Sequence, residues 1–355
     1  MNLVNATGMA AGYTVVLDKA GMENVVVVVK GTFTLPQSGE QPMLAEEQVP
    51  IVDADQFTGE PALSATLAEC DYALEKPYCD VLLNGSAHAA RGPVERIAVG
   101  LQVDGWRKSF AVWGNRTWRG AAVGYAPSEP QPFTQLPISY DNAFGGTDRS
   151  MRDPARQRSY LPNPAGRGWH YHIHNELVVG APVCNTEEIR DPVRDPGGRY
   201  QPMAFGPVGR NAPPRLRHAG TYDQAWVDNV FPFLPADFDS RYLQSAPEDQ
   251  QIAYPRGGEP ILLVNLTPDG RREFTLPPVE MPLVFFPRRG NSVEQRGVLD
   301  TLLFEPDAER FCLVWRARYP LQRDIFDVRQ VVIGNMTRAW WRAQASGKRL
   351  APLGG

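Results

Sequence analysis

The alternation His170-Tyr171-His172-Ile173-His174 is the sharpest chemical signal in the chain. In an extended strand the three imidazoles would point to one side, and histidines in that arrangement can ligate zinc. Glu176 and Cys184 lie near enough in sequence to complete such a site. The alternative is a solvent-facing strand or loop edge whose imidazoles bind nothing, and sequence context gives no outer layer of partners against which to check the metal reading. Asp141, Asp148, Asp237 and Asp239 sit beside glycines and aromatics, as the carboxylates of glycoside hydrolases do. Aspartates in Pro- and Gly-rich turns more often accept backbone amides, which is the structural reading of all four. There is no G-x-S-x-G elbow, no phosphate loop, no His-Glu-x-x-His and no dinucleotide-binding glycine pattern. No catalytic residue, metal ligand or cofactor site is therefore assigned. The competing class is a hydrolase of carbohydrate or cell-wall polymer, working through Asp or Glu or a histidine-ligated metal.

The totals exclude other classes. With 36 basic against 40 acidic residues and a net charge of −4, the chain lacks the basic excess of a nucleic-acid binder. The longest apolar run, Val25 to Val29, is far too short to cross a bilayer, so no membrane insertion is expected. Met1 to Thr7 has neither the charged start nor the apolar run of a secretory signal, and a cytoplasmic location is the expectation. Cys70, Cys79, Cys184 and Cys312 have no zinc spacing; a Cys70–Cys79 disulfide is conceivable but unforced, and free thiols are expected.

The elements that must position these residues are mostly strands. The chain has 32 glycines and 33 prolines, punctuation that shortens regular elements and favours strands joined by turns. Asn24 to Phe33 is the clearest strand, its β-branched run fitting a buried pleated surface, with Thr14 to Asp18 as hairpin partner. Asp80 to Ala87 reads as a strand with an Asn-Gly turn inside it. Arg96 to Val103 turns at Asp104-Gly105 into Trp106 to Trp113, and Asp269-Gly270 marks a second hairpin. Strand pattern resumes around Pro260 and continues through Leu283 to Pro287, Val298 to Glu305 and Glu309 to Tyr319. Asn335 to Ala345 reads as a short terminal helix capped by Asn335 or Thr337, with Trp340 or Trp341 on its buried face. The expected fold is mainly β, with antiparallel sheets in two sandwich- or barrel-like lobes. An N-terminal β lobe covers 1–123, an irregular central segment 124–255, and a C-terminal β lobe with the terminal helix 256–355. So long an irregular segment is unusual in a compact domain, so it should be packed on the strands by Phe133, Tyr140, Phe144, Trp169 and Phe205.

The centre of that segment carries the most specified backbone. Ala143-Phe144-Gly145-Gly146 and Asn163-Pro164-x-Gly166-x-Gly168 suit neither a regular helix nor a plain strand. Around them stand, in order, Trp113-Gly114-Asn115-Arg116-Thr117-Trp118, Pro132-Phe133, Tyr140, Ala219-Gly220-Thr221-Tyr222-Asp223-x-x-Trp226, Leu234-Pro235-x-Asp237-Phe238-Asp239 and Ala246-Pro247-Glu248-Asp249-Gln250. In this set and order the chain resembles the bacterial family known as domain of unknown function 2169, from near the N-terminus to about Tyr319. The resemblance implies an accessory role in type VI secretion: a cytoplasmic adaptor or chaperone that helps load a toxin effector on the secretion spike. The implied partners are a toxin effector, a PAAR-repeat spike protein, or both. His170, His172 and His174 fall outside the quoted motifs.

A binding scaffold agrees with the residues, since Pro-stiffened loops lose little entropy on association and open strand edges can accept a partner strand. The candidate partner surface joins two groups. Tyr140, Phe144, Gly145, Gly146, Asn163, Gly166 and Gly168 form the first; Tyr222, Trp226, Asp237, Phe238 and Asp239 form the second. In the alternative reading the first group is a structural plug that joins two sheets.

Overall fold

The computed structural model describes residues 1–346 apart from Ala62 and Val279. The protein is mainly β, and no barrel closes among the described residues. A six-stranded sheet runs in the order Gln251–Ile252, Cys79–Leu83, Val298–Glu305, Arg310–Pro320, Glu23–Thr34, Ala10–Leu17. A five-stranded sheet follows Thr186–Glu187, Trp106–Trp113, Arg96–Val103, Pro260–Val264, Arg271–Thr275, and a four-stranded one follows Asn2–Asn5, Val328–Ile333, Pro282–Pro287, Val293–Arg296. Pairing within them is antiparallel except where Cys79–Leu83 meets Val298–Glu305 and Asn2–Asn5 meets Val328–Ile333.

The valine run explains its own position. Val25, Val27 and Val29 face the main core, while Val26 and Val28 face a smaller cluster with Val16, Ile51, Tyr72 and Leu74. A strand buried on both faces needs no polar alternation, which is why the run is continuous. The main core is shared by all three sheets. Phe274 of the five-stranded sheet lies 5.4 Å from Phe311 of the six-stranded one, and Phe285 of the four-stranded sheet stacks on Tyr319 at 5.2 Å.

Strands expected in separate lobes 1–123 and 256–355 therefore share sheets. Val298–Glu305 and Arg310–Pro320 lie between Cys79–Leu83 and Glu23–Thr34, so neither end of the chain has one of the three large sheets to itself. The Asp80 to Ala87 strand also divides. After Leu83 the chain leaves the sheet at Asn84, and Gly85–His88 pairs with Gln135–Ile138 instead. The two Asp-Gly hairpins form as expected, Val103 opposite Trp106 and Val264 opposite Arg271. The terminal helix Arg338–Ala345 is capped by Thr337, whose side chain accepts from the Trp340 amide. It lies on the outside: Trp340 is half-buried and Trp341 exposed, touching the structure beside Phe286. Among the described residues no helix is long and apolar enough to cross a membrane.

Candidate functional site

The first group of signature residues is interior. Tyr140, Phe144, Gly145, Gly146, Asn163 and Gly168 are buried and Gly166 half-buried. After the turn Tyr140–Asn142 the chain runs as Phe144–Gly145 in parallel beside Arg167–Gly168. The Asn163 side-chain amide holds both turns, donating to Tyr140 O at 2.8 Å and Phe144 O at 3.2 Å, while Asn163 O accepts from the Gly146 amide at 2.9 Å. A Cβ on Gly145 would stand 2.1 Å from Asn163 O, at φ +150°, so only glycine fits. Phe144 meets Tyr160 and Tyr200 edge-on at 5.2 and 4.9 Å, and Trp118 donates from Nε1 to Gly168 O at 2.9 Å. The result is a second small core, Trp118, Phe144, Val178, Val183, Cys184 and Val193, built mainly by the central segment. Of the five expected packing aromatics, Phe133, Tyr140 and Phe205 join the main core; Phe144 and Trp169 join this one. Six of the seven are thus buried against one another and Gly166 is half-buried, which places this group inside the fold rather than on an open surface.

The second group is a surface. Gln224–Asn229 is a short helix capped by Asp223, and behind it the chain folds back so that Trp226 Nε1 donates to Phe233 O at 2.9 Å. Tyr222 and Phe231 meet Trp226 edge-on, at 4.8 and 5.5 Å. Tyr222 is 53% and Phe231 66% exposed. Phe233, also exposed, follows on the fold-back, where no periodic pattern marks it in the sequence, and Val227 is exposed on the helix itself. Asp237 is a fastener within this arm, accepting from the Thr221 amide at 3.0 Å and its hydroxyl at 2.7 Å, bonds that hold its pKa below the usual range. Phe238 is half-buried and its carbonyl accepts from Lys19 Nζ at 3.1 Å, which ties the arm to the Asp18–Met22 hairpin turn. Asp239 is gripped by Arg241, whose hydrogen bond lowers its pKa to about 2.

The histidines do not line up. A bend at Tyr171 and His172 breaks the alternation, and His174 instead precedes the short helix Asn175–Val178 as its N-cap residue. His172 Nδ1 faces Asp148 Oδ2 at 3.2 Å, and that oxygen also accepts from the Tyr171 and His172 amides. Burial pushes the Asp148 carboxyl up, but the hydrogen bonds from Ser150 and His172 outweigh it and hold it well below the carboxylate range. Asp141 accepts from Thr58 Oγ1 at 2.6 Å and from the Ala65 amide at 2.8 Å. Among the described residues no cluster of three or more His, Cys, Asp or Glu could hold a metal ion. All four cysteines are free thiols, Cys70 and Cys79 included.

Buried polar anchors fix the central segment to the sheets. Asp80, 0% exposed, accepts from Lys76 Nζ at 2.7 Å, from Ser245 N and Oγ at 2.8 and 2.9 Å, and from Gln244 Nε2 at 2.6 Å. Gln250 donates to Val81 O and Phe205 O at 2.7 and 2.8 Å and accepts from Lys108 Nζ at 2.7 Å. The end of the Ala246 to Gln250 motif is thus a clasp between the segment and both large sheets. Arg116, from the Trp113 to Trp118 motif, forms a buried ion pair with Glu187.

A family model described as an uncharacterized protein conserved in bacteria (DUF2169) matches residues 20–316. No curated protein and no solved structure matches the chain.

Proposed function

The chain belongs to the DUF2169 family, and from that membership we propose that it is a cytoplasmic accessory protein of type VI secretion. In this reading it is an adaptor or chaperone that binds a toxin effector, a PAAR-repeat spike protein, or both, and helps load the effector on the spike. The observation that carries the reading is the aromatic arm. Tyr222 and Phe231 stand exposed on Trp226, and exposed Phe233 is tied to it through its carbonyl, on an arm fixed by its own hydrogen bonds. Large aromatics held in place lose little freedom when covered, and they dominate the energetics of protein interfaces. Beside the arm the uncharged strand Ala10–Leu17 forms an edge of the six-stranded sheet, with Tyr13, Val15 and Leu17 exposed. Such an edge can take a strand from a partner.

The test is co-purification of the tagged protein with the products of the adjacent open reading frames. A spike or toxin protein should elute with it near one to one. Tyr222→Ser with Phe231→Ser should weaken that complex by roughly thirtyfold or more, the loss of about 2 kcal/mol expected of interface anchors. Both side chains are more than half exposed, so the melting temperature should fall by only a few degrees, for the loss of their edge contacts with Trp226. Elution alone, with the spike and effector equally soluble and secreted in its absence, would sink the proposal.

A further inference from the structure

A polar cavity of about 350 Å³ opens where separate stretches of the chain converge: Asn115, the Pro132-Phe133 pair, Asn142 and Arg167. Its polar lining is Asn115, Gln131, Gln135, Asn142, Arg167 and Asn185, with no carboxylate among them. Arg167 donates from Nε to Asp141 O at 2.9 Å and from Nη2 to the Asn142 side-chain oxygen, both neutral acceptors. A half-buried guanidinium ordinarily finds a carboxylate, but Asp141, whose charge acts on Arg167, makes its hydrogen bonds to Thr58 and Ala65 instead. Among the described residues Nη1 of Arg167 has no hydrogen bond. The surrounding amides are sorted in the same way. Asn142 Nδ2 donates to Pro137 O at 2.8 Å, and Asn185 Nδ2 to Trp113 O and Asn115 Oδ1 at 3.0 and 3.1 Å. That locks the walls and, among the described residues, leaves Asn115 Nδ2 and the exposed Gln131 and Gln135 amides unbonded at the mouth.

We propose that this cavity binds a carboxylate carried on a peptide segment. Arg167 and Asn115 supply donors to the anion. Gln131 and Gln135 offer the donor and acceptor that a peptide backbone needs, over an apolar shelf of Phe133 and Pro137. The site is separate from the aromatic arm and does not depend on what the arm binds.

The probes are acetyl-Ala-Glu-Ala-amide, its Gln counterpart, glutarate and inorganic phosphate, titrated into the full chain by calorimetry. The side-chain NMR signals of Arg167 and Asn115 are followed in parallel. The Glu peptide should bind saturably and shift both signals, and the Gln peptide should bind about tenfold more weakly or worse. Gln131→Glu with Gln135→Glu places like charge at the mouth without touching an internal hydrogen bond, and should cost the Glu peptide about tenfold as well. Arg167→Lys, checked for folding by circular dichroism, should lose binding by at least as much. Glutarate binding as tightly as the peptide would overturn the peptide assignment in favour of a free dicarboxylate. Saturable binding of phosphate as tight as that of the peptide would overturn the assignment. So would the absence of saturation by either carboxylate, or Glu-peptide binding unmoved in the Gln131→Glu, Gln135→Glu variant.

Discussion

Single residues hold this structure through buried polar bonds whose removal has calculable consequences. Lys76 is one: its ammonium reaches Asp80, Thr301 and Ser245 in a site where Asp80 is wholly buried. Lys76→Met leaves that carboxylate uncompensated and should cost about 3–5 kcal/mol. Lys76→Met with Asp80→Asn should cost clearly less than the sum of the single changes, because the two share one interaction. Urea unfolding of the three variants measures this; strict additivity would mean that the pair is not coupled. Asp148 is another. Its folded pKa lies below the ordinary value of 3.8, so the native state binds its proton less readily than the unfolded chain does. Its contribution is complete above about pH 4 and is lost as pH falls from there toward the folded pKa. Asp148→Asn should therefore destabilise by about 2 kcal/mol at pH 7, and the gap from the native protein should narrow at pH 3. A gap that stays constant across that range would mean that the carboxylate's charge is not what the site uses.

At the scale of elements, the central segment is ordered by close backbone contact rather than by regular structure. Gly145→Ala puts a methyl against Asn163 O and should cost about 4 kcal/mol or more. Gly105→Ala, where an added Cβ meets nothing within 4 Å, should change stability by less than about 1 kcal/mol. Thermal melts of the two variants compare the sites directly, and similar losses would refute the role given to Gly145. The same contrast explains what could be read in advance. Asp104-Gly105 and Asp269-Gly270 declare their hairpins because a turn's cause lies in its own residues. The glycines and Asn163 declared a specified path, but not that the path is interior, since what they abut is a segment about 20 residues away. Asn2–Asn5 and Val328–Ile333 went unread because they pair in parallel between opposite ends of the chain, a contact with no local signature. The histidine alternation suggested a strand, and the bend at His172 replaced it because Asp148 collects the two amides there. The exposed arm was half legible: Tyr222 and Trp226 stood out, while Phe231 and Phe233 gained meaning only from the fold-back that brings them beside Trp226.

Across the whole molecule the order of strands decides what can fold alone. The six-stranded sheet inserts Val298–Glu305 and Arg310–Pro320 between Cys79–Leu83 and Glu23–Thr34. A fragment ending at residue 255 would lose the middle of that sheet, leaving the valine strand paired on one side only and Phe33 without the ring of Phe311. The five-stranded sheet would lose Pro260–Val264 and Arg271–Thr275, baring Val99 and Leu101 of the strand beside them. A fragment 1–255 is therefore expected to lack native structure, whereas 1–255 expressed together with 256–355 should reassemble, since every strand pair would again be available. In the intact chain, tryptophan fluorescence and far-ultraviolet circular dichroism should report one coincident urea transition, as befits sheets sharing a single core. Two separated transitions, or a 1–255 fragment with native-like dispersion of its NMR signals, would show instead that the two ends of the chain stabilise independent units. The aromatic arm gives that experiment a functional reading. It rests on the Asp18–Met22 turn through Lys19 and Phe238, and that turn joins the outer two strands of the six-stranded sheet. Reassembly of the two fragments should restore partner binding together with the fold, and neither fragment should bind by itself.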